Sequence, residues 1–129
     1  MLIFLFAKNG VIFCEVERDI KQIFIDSRKL TSYALNPRSL KGGDKALMFQ
    51  EHLGFTQNNY QLLLNQIQDK VMDTEAILGV CDQYGQRYQV DILINGVATE
   101  QQEIVRTGWI VKPNEDIARL TTVYIRRRK

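Results

Sequence analysis

Polar and charged side chains alternate with apolar ones along three segments in the last third of the chain, and these polar residues could do chemistry. If the apolar side of each strand packs on helices, the opposite side carries the polar residues. That predicted open face comprises Arg87, Gln89, Asp91, Arg106, Gly108, Thr122, Tyr124 and Arg126. Arginines on a rigid surface suit a phosphate or another anion. The same pattern is also typical of a sheet face that is merely solvated, and a one-residue bulge would exchange Thr122 for Thr121.

Two further groups of basic residues could extend this surface. Lys45 follows two glycines at the first turn of a predicted helix, where a cation is mildly unfavourable, so another reason for its position is expected. Arg126, Arg127, Arg128 and Lys129 close the chain. Such a basic tail is either a solvated end or a source of salt-sensitive phosphate contacts.

Several other chemistries lack the residues that they need. One histidine, His52, and two cysteines cannot supply the four ligands of a structural zinc site. His52 lies near a predicted helix end, which favours a surface role over a place in a Ser–His or Cys–His enzyme. The run Gly42-Gly43-Asp44-Lys45 lacks the spacing and the Ser/Thr of a phosphate-binding loop. We therefore predict no metal and no cofactor.

Two helices are predicted ahead of these strands. In the first, Asp44 is the expected cap, Ala46, Phe49 and Leu53 form one apolar face, and Gly54 ends the helix. The second opens at Thr56, and its single apolar stripe consists of Tyr60, Leu63, Leu64, Ile67 and Val71.

The remaining segments indicate β structure. Residues 76–81, 87–94, 102–111 and 119–126 are predicted to form four consecutive strands joined by short turns, which is an antiparallel meander. At the N-terminus, residues 2–6 and 11–16 flank Lys8-Asn9-Gly10, a strong hairpin signal, and residues 22–25 are extended. The predicted fold is α+β: an N-terminal β-hairpin, two helices, then a four-stranded antiparallel β-meander. We expect a β appendage at residues 1–28 and one domain at residues 29–129.

The bulk properties are those of an ordinary globular protein. The chain has 129 residues, a net charge of +2, 25% charged residues and 45% hydrophobic residues. Its apolar opening is too short to span a membrane and lacks the flanks of a signal peptide. These features predict a cytoplasmic protein that does not interact with membranes.

A set of short segments in one order resembles a family of uncharacterised bacterial domains of about 100 residues. The segments are Leu35-Asn36-Pro37, Gly42-Gly43-Asp44-Lys45-Ala46, Phe49, Leu53-Gly54-Phe55, Asp82-Gln83-Tyr84-Gly85-Gln86-Arg87-Tyr88, Val90-Asp91 and Val105-Arg106-Thr107-Gly108-Trp109-Ile110. Such domains stand alone beside small predicted antitoxins, or end phage head-morphogenesis-like and polymorphic-toxin proteins. Their layout is similar to that of the barnase, EndoU, colicin and RelE ribonuclease toxins, an analogy that does not by itself fix function.

The resemblance implies a metal-independent endoribonuclease toxin that cleaves RNA, with tRNA among the candidate targets, by attack of the 2′-OH on the adjacent phosphate. Its expected partner is a small cognate antitoxin or immunity protein. The candidate catalytic residues are Lys45, Arg87, Arg106, Thr122 and Tyr124. Arg87 and Arg106 would hold the phosphate, Lys45 would act as base or charge stabiliser, and Tyr124 would stack on a base or handle a proton. Gln89, Arg126, Arg127 and Arg128 are the candidate RNA-binding residues.

Two alternatives stay open. The protein could be a non-enzymatic phage or immunity-type binding module, whose sheet face or N-terminal hairpin docks a partner. In that case the apolar opening strand would favour a homodimer through edge pairing. A toxin with nucleotidyl- or ADP-ribosyl-transfer chemistry is the other alternative, but the sequence holds no motif for it.

Overall fold

A computed structural model describes residues 2–4, 17–41 and 43–126 of the protein. Two helices, α1 (Gly43–Leu53) and α2 (Tyr60–Lys70), follow a short π-helical segment, Lys29–Ala34. The strands are β1 (Leu2–Phe4), β2 (Glu17–Asp19), β3 (Gln22–Phe24), β4 (Ile77–Asp82), β5 (Gly85–Asn95), β6 (Gln102–Val111) and β7 (Ile117–Ile125). The mixed α+β composition agrees with the prediction.

The main sheet has five strands in the order β3-β7-β6-β5-β4. Strands β4 to β7 are antiparallel to their neighbours, as predicted, but β3 adds a fifth strand that runs parallel to β7. A four-stranded meander is therefore an incomplete description of this sheet. β3 has only three residues, too few for a period to reveal its partner, although Ile20 just before it is buried in the core.

The N-terminal part differs in its pairing from the predicted hairpin. β1 pairs antiparallel with β2, Leu2 lying opposite Asp19. The predicted turn at Lys8-Asn9-Gly10 and the strand at 11–16 lie outside the described residues. The division between residues 1–28 and 29–129 stays a prediction, and β3 of the first segment belongs to the main sheet.

The helices bury the faces that their periodicity predicts. Ala46, Phe49 and Leu53 of α1 are buried, and Gly54, at φ 74°, ends that helix in a left-handed conformation that glycine adopts easily. The expected cap at Asp44 is wrong, because α1 begins one residue earlier, at Gly43, and Asp44 lies within its first turn. Thr56, the predicted start of the second helix, instead forms a capping box with Asn59 at a short 3₁₀ helix, Gln57–Asn59, which leads directly into α2.

The core lies between the helices and one face of the sheet. Alternate residues of β5 and β6 are fully buried there, as predicted: Tyr88, Val90, Ile92, Ile94, Val105, Thr107, Trp109 and Val111. Thr107 is the polar member of this set. Its hydroxyl donates to the Val90 carbonyl at 2.7 Å and accepts from Trp109 Nε1 at 2.7 Å, which satisfies both groups away from water.

The prediction for β7 is partly wrong. Val123 and Ile125 are buried as expected, but the third inward position belongs to Leu120 and not to Thr121. The pairing between β6 and β7 shifts between Gly108 and Trp109, since Gly108 lies opposite Thr122 whereas Trp109 lies opposite Leu120. Thr121 is the extra residue of this bulge, so it leaves the inward row.

In the part of the chain described above, no helix is long and apolar enough to cross a membrane.

Candidate functional site

A row of three side chains crosses the open face of the sheet. Asp91 of β5 lies opposite Arg106 of β6, which lies opposite Tyr124 of β7. Arg106 donates from Nε to Asp91 Oδ1 at 3.0 Å and from Nη2 to Oδ2 at 3.1 Å. Arg126 adds a third bond, from Nη1 to Asp91 Oδ2 at 3.0 Å. A fork of this kind fixes the plane of the Arg106 guanidinium.

The electrostatics of this group favour the charged forms. The hydrogen bond from Arg106, and to a smaller extent that from Arg126, lowers the pKa of Asp91 against the opposing effect of burial. The Asp91 carboxylate in turn is the main cause that raises the pKa of Arg106, and Tyr124 contributes to the same shift. Two arginines around one carboxylate leave a net positive charge. Asp91 thus orients Arg106 without neutralising the surface.

Lys45 reaches this row from the start of α1. Its Nζ lies 4.8 Å from the centroid of the Tyr124 ring, a cation–π contact. This contact supplies the reason for a lysine at a helix start that the sequence alone left open. Lys45, Arg106, Tyr124 and Arg126 line a cavity of about 470 Å³, which we call the arginine cleft.

The bulge in β7 shapes a second cavity on the same face. A side chain at Gly108 would meet Thr122 Oγ1 at 2.5 Å and Thr121 Oγ1 at 3.1 Å, so both hydroxyls converge over this glycine. A cavity of about 340 Å³, which we call the threonine cleft, extends from here to β4. Its polar lining includes Arg87, Gln89, Arg106, Thr121, Thr122 and Tyr124.

These two clefts collect seven of the nine residues singled out from the sequence. Arg106 and Tyr124 line both clefts, Lys45 and Arg126 line the arginine cleft, and Arg87, Gln89 and Thr122 line the threonine cleft. Arg127 and Arg128 lie outside the described residues. The roles assigned to the seven other side chains stay predictions, although the structure brings those seven together in the two clefts.

Five more residues belong to this neighbourhood. The sequence pattern predicts Asp91 on the open face but assigns it no role in the site. Because Asp91 lies directly opposite Arg106 on the neighbouring strand, the two side chains form an ion pair. Thr121 belongs to the site only because of the bulge in β7, whose position the residue pattern of a single strand does not predict. Lys29, Tyr33 and Lys41 join Lys45, Thr121 and Thr122 in a third cavity of about 250 Å³, the lysine pocket.

No group of three or more His, Cys, Asp or Glu side chains that could hold a metal ion occurs within residues 2–4, 17–41 and 43–126.

We predict that Gly108→Ala lowers stability by about 1–3 kcal/mol, because the added Cβ would lie 2.5 Å from Thr122 Oγ1 and the threonine or the strands must shift to admit it. Urea denaturation followed by circular dichroism measures this change. The double variant Gly108→Ala/Thr122→Ala removes the obstructing oxygen and should recover part of the loss. A Gly108→Ala protein as stable as the wild type would contradict the close approach of the two strands here.

Comparisons with known proteins place the fold in context. A family model described as "Domain of unknown function (DUF6883)" matches residues 17–127. No curated protein matches the chain. Among solved structures, a chain of the contact-dependent growth inhibition toxin–immunity protein complex from Klebsiella pneumoniae 342 has a TM-score of 0.63 at 16% sequence identity. The match covers 81% of this chain and 93% of that one, and at this identity it shows a shared fold.

Proposed function

Since the chain belongs to the DUF6883 family of domains of unknown function, we propose a function from its site: an endoribonuclease toxin that works without a metal ion. The observation that carries the proposal is the Asp91–Arg106–Tyr124 row with Lys45 over the tyrosine ring. It places an oriented guanidinium and an ammonium next to one half-buried phenol. That combination suits a phosphodiester whose charge increases as it reacts.

Each residue has a defined task in the proposed reaction. The 2′-oxygen of RNA attacks the adjacent phosphorus, the bond to the 5′-oxygen breaks, and a 2′,3′-cyclic phosphate forms. Arg106, held by Asp91, and Lys45 stabilise the extra negative charge of the pentacoordinate phosphorane. Lys45 and Tyr124 are the candidates for taking the 2′-OH proton and returning one to the leaving oxygen. Arg87 and Thr122 bind non-bridging oxygens from the threonine cleft, while Gln89 and Arg126 extend the RNA path.

The shared fold with a chain of a toxin–immunity protein complex supports a toxin-like role for this chain. A toxin that cuts RNA needs a cognate inhibitor, so we propose a small antitoxin or immunity protein as the partner. Its surface is expected to be acidic, because it must cover the cationic clefts. The proposed place of action is the cytoplasm, where the RNA substrate, with tRNA among the candidates, is found.

The decisive experiment incubates purified protein with total RNA and with tRNA in the presence of EDTA, and follows cleavage on denaturing gels. The wild type is expected to cut RNA and leave 2′,3′-cyclic phosphate ends. Lys45→Ala is expected to slow cleavage about tenfold, because it removes one of the cations next to the phosphate while Arg106 and Arg87 remain. Lys21→Ala, which changes an exposed lysine just before β3, is the matched control and should retain full activity.

Two outcomes would overturn the proposal: absence of cleavage by the wild type, or equal cleavage by the wild type and Lys45→Ala. The product ends provide a further check. A linear 3′-phosphate appearing before any cyclic phosphate would exclude attack by the 2′-OH.

A non-enzymatic, immunity-type binding module is the second candidate, and one observation favours it. Ile77, Leu78 and Val80 on β4, an outer strand of the main sheet, are 54%, 45% and 66% exposed. Exposed apolar side chains on an outer strand are suited to pairing with a partner. Size-exclusion chromatography after co-expression with the product of a neighbouring gene tests this candidate. A binding module should form a stable complex that Val80→Lys abolishes, while total RNA stays uncut.

A further inference from the structure

The lysine pocket lies beside the proposed reaction site and shares side chains with both clefts. Lys45 lines the arginine cleft as well, and Thr121 and Thr122 line the threonine cleft as well. The pocket forms where β3 has ended: β3 pairs only with Ile117, Ala118 and Arg119 of β7. β7 also contacts the π-helical segment and α1. The lysine pocket therefore borders the reaction site.

The π-helical segment contributes the aromatic ring of Tyr33 to this pocket, and buried side chains hold the segment in place. Leu30, Ala34 and Leu35 are buried in the core, so the segment is anchored from below. Tyr33 on its other side is 53% exposed and lines the pocket. Lys29 Nζ lies 6.0 Å from the centroid of the Tyr33 ring, the outer limit of a cation–π contact. An exposed ring with a cation beside it has no evident role in the core and is available to a ligand.

The size and charge of the pocket limit what it can bind. At about 250 Å³ it lies just below the range of roughly 300–1,000 Å³ that is usual for drug-sized ligands, which suits one base or nucleoside. Its lining contains three lysines, two threonine hydroxyls and the tyrosine, and no carboxylate. Lysines alone would serve any anion, including acidic protein side chains. The exposed ring next to them favours a ligand that carries both a flat π-system and a phosphate.

We propose that the lysine pocket binds one nucleoside of a single-stranded RNA next to the reacting phosphate. Tyr33 stacks on the base, Lys29 and Lys41 contact its phosphate, and the Thr121 and Thr122 hydroxyls border the sugar. This inference rests on the proposed function, because it places the nucleoside relative to the phosphate at Lys45 and Arg106. Single-stranded RNA is commonly bound by stacking of unpaired bases on aromatic side chains, so the substrate class is an unpaired loop or end and not a duplex.

The test measures binding separately from cleavage. A fluorescently labelled single-stranded oligonucleotide with 2′-deoxyribose has no attacking hydroxyl, so fluorescence anisotropy reports only affinity. Tyr33→Leu is expected to weaken binding about tenfold, within the range seen when aromatic stacking partners of bases are removed. Tyr33→Phe keeps the ring and should bind like the wild type. Tyr84→Leu, which changes a 64% exposed tyrosine in the β4–β5 turn, is the matched control and should also bind like the wild type.

A second arm identifies the base itself. An oligonucleotide with one abasic position should bind the wild type about as weakly as the intact strand binds Tyr33→Leu. Combining the abasic strand with Tyr33→Leu should then cause no further loss. Equal affinity of Tyr33→Leu and Tyr84→Leu for the intact strand would overturn the proposal. A loss of affinity in Lys29→Ala and Lys41→Ala but not in Tyr33→Leu would also overturn it. That result would indicate a general anion site of the kind an acidic protein partner would use.

The two proposals fail in distinguishable ways. If RNA stays uncut but affinity depends on Tyr33, the ribonuclease proposal fails and the nucleoside site stands. If RNA is cut and Tyr33→Leu leaves both oligonucleotide affinity and KM unchanged, the nucleoside site fails and the ribonuclease stands.

Discussion

Replacing Trp109 with alanine is expected to lower the free energy of unfolding by about 3–5 kcal/mol. Trp109, near the end of β6, is fully buried and among the largest side chains of the core. Its removal would leave a cavity and would also deprive the Thr107 hydroxyl of the indole N–H that donates to it at 2.7 Å. A domain of this size is stable by only about 5–15 kcal/mol, so much of the protein should be unfolded at moderate urea concentrations. Chemical denaturation monitored by circular dichroism measures the change.

Milder substitutions separate packing from hydrogen bonding. Trp109→Phe keeps an aromatic ring but loses the N–H, and Thr107→Val keeps the shape but leaves the indole nitrogen without an acceptor, at a cost of about 1–3 kcal/mol. Tyr84→Ala, at an exposed turn, should change stability by less than about 0.5 kcal/mol. If Trp109→Ala were as stable as Tyr84→Ala, Trp109 could not be the centre of the core. It would then have to be reconsidered as a ligand-binding residue.

The core could be predicted from the sequence because its signal is periodic and local. In α2 the residues at helical spacing, Leu63 and Ile67, are buried, as is Val71 directly after the helix, and in β5 every second residue from Tyr88 to Ile94 is buried. Such patterns depend only on the geometry of a single element. The same alternation assigns Arg106 and Tyr124 to the open face, which is why most of the candidate site could be predicted from the sequence alone.

What the sequence did not predict depends on contacts between distant elements. The bulge that adds Thr121 to the site is a property of the β6–β7 pair, since Gly108 must lie under both threonines. The lysine pocket joins residues of the π-helical segment, the loop that follows it, α1 and β7, which lie far apart in the chain. β3 is placed by a three-residue parallel pairing. None of these three features produces a periodic pattern in the sequence. Only the three-dimensional fold shows that the residues that form them lie close together.

Arg106→Ala is expected to reduce the rate constant of RNA cleavage by about 10²–10³-fold, the loss typical of removing one preorganised donor to a developing charge. Single-turnover assays with excess enzyme measure this step directly. Arg106→Lys should recover little of the activity, because an ammonium cannot replace the two parallel hydrogen bonds to Asp91 at 3.0 and 3.1 Å. Full activity of Arg106→Lys would show that charge alone is sufficient and that the fork is unimportant.

Asp91→Asn discriminates between two effects of the same carboxylate. Removing its negative charge should tighten RNA binding at low salt, since the cationic face loses an internal counter-charge. The same change frees Arg106 to rotate, which should lower the cleavage rate constant by on the order of 10²-fold through misplacement of the guanidinium. Affinity and rate therefore move in opposite directions. A purely structural carboxylate would lower stability and leave the ratio of rate to affinity unchanged.

The pH dependence gives an independent check on Asp91. Its pKa in the folded protein is lowered by Arg106 and Arg126, so its contribution to stability is present above its unfolded pKa of about 3.9 and is lost as the pH falls through the lower folded value. Between pH 5 and 8 the wild-type carboxylate stays ionised. The difference in free energy of unfolding between Asp91→Asn and the wild type should therefore be constant over that interval. A difference that disappears on acidification from pH 8 to pH 5 would mean that another group, and not the Asp91 carboxylate, holds Arg106 in place.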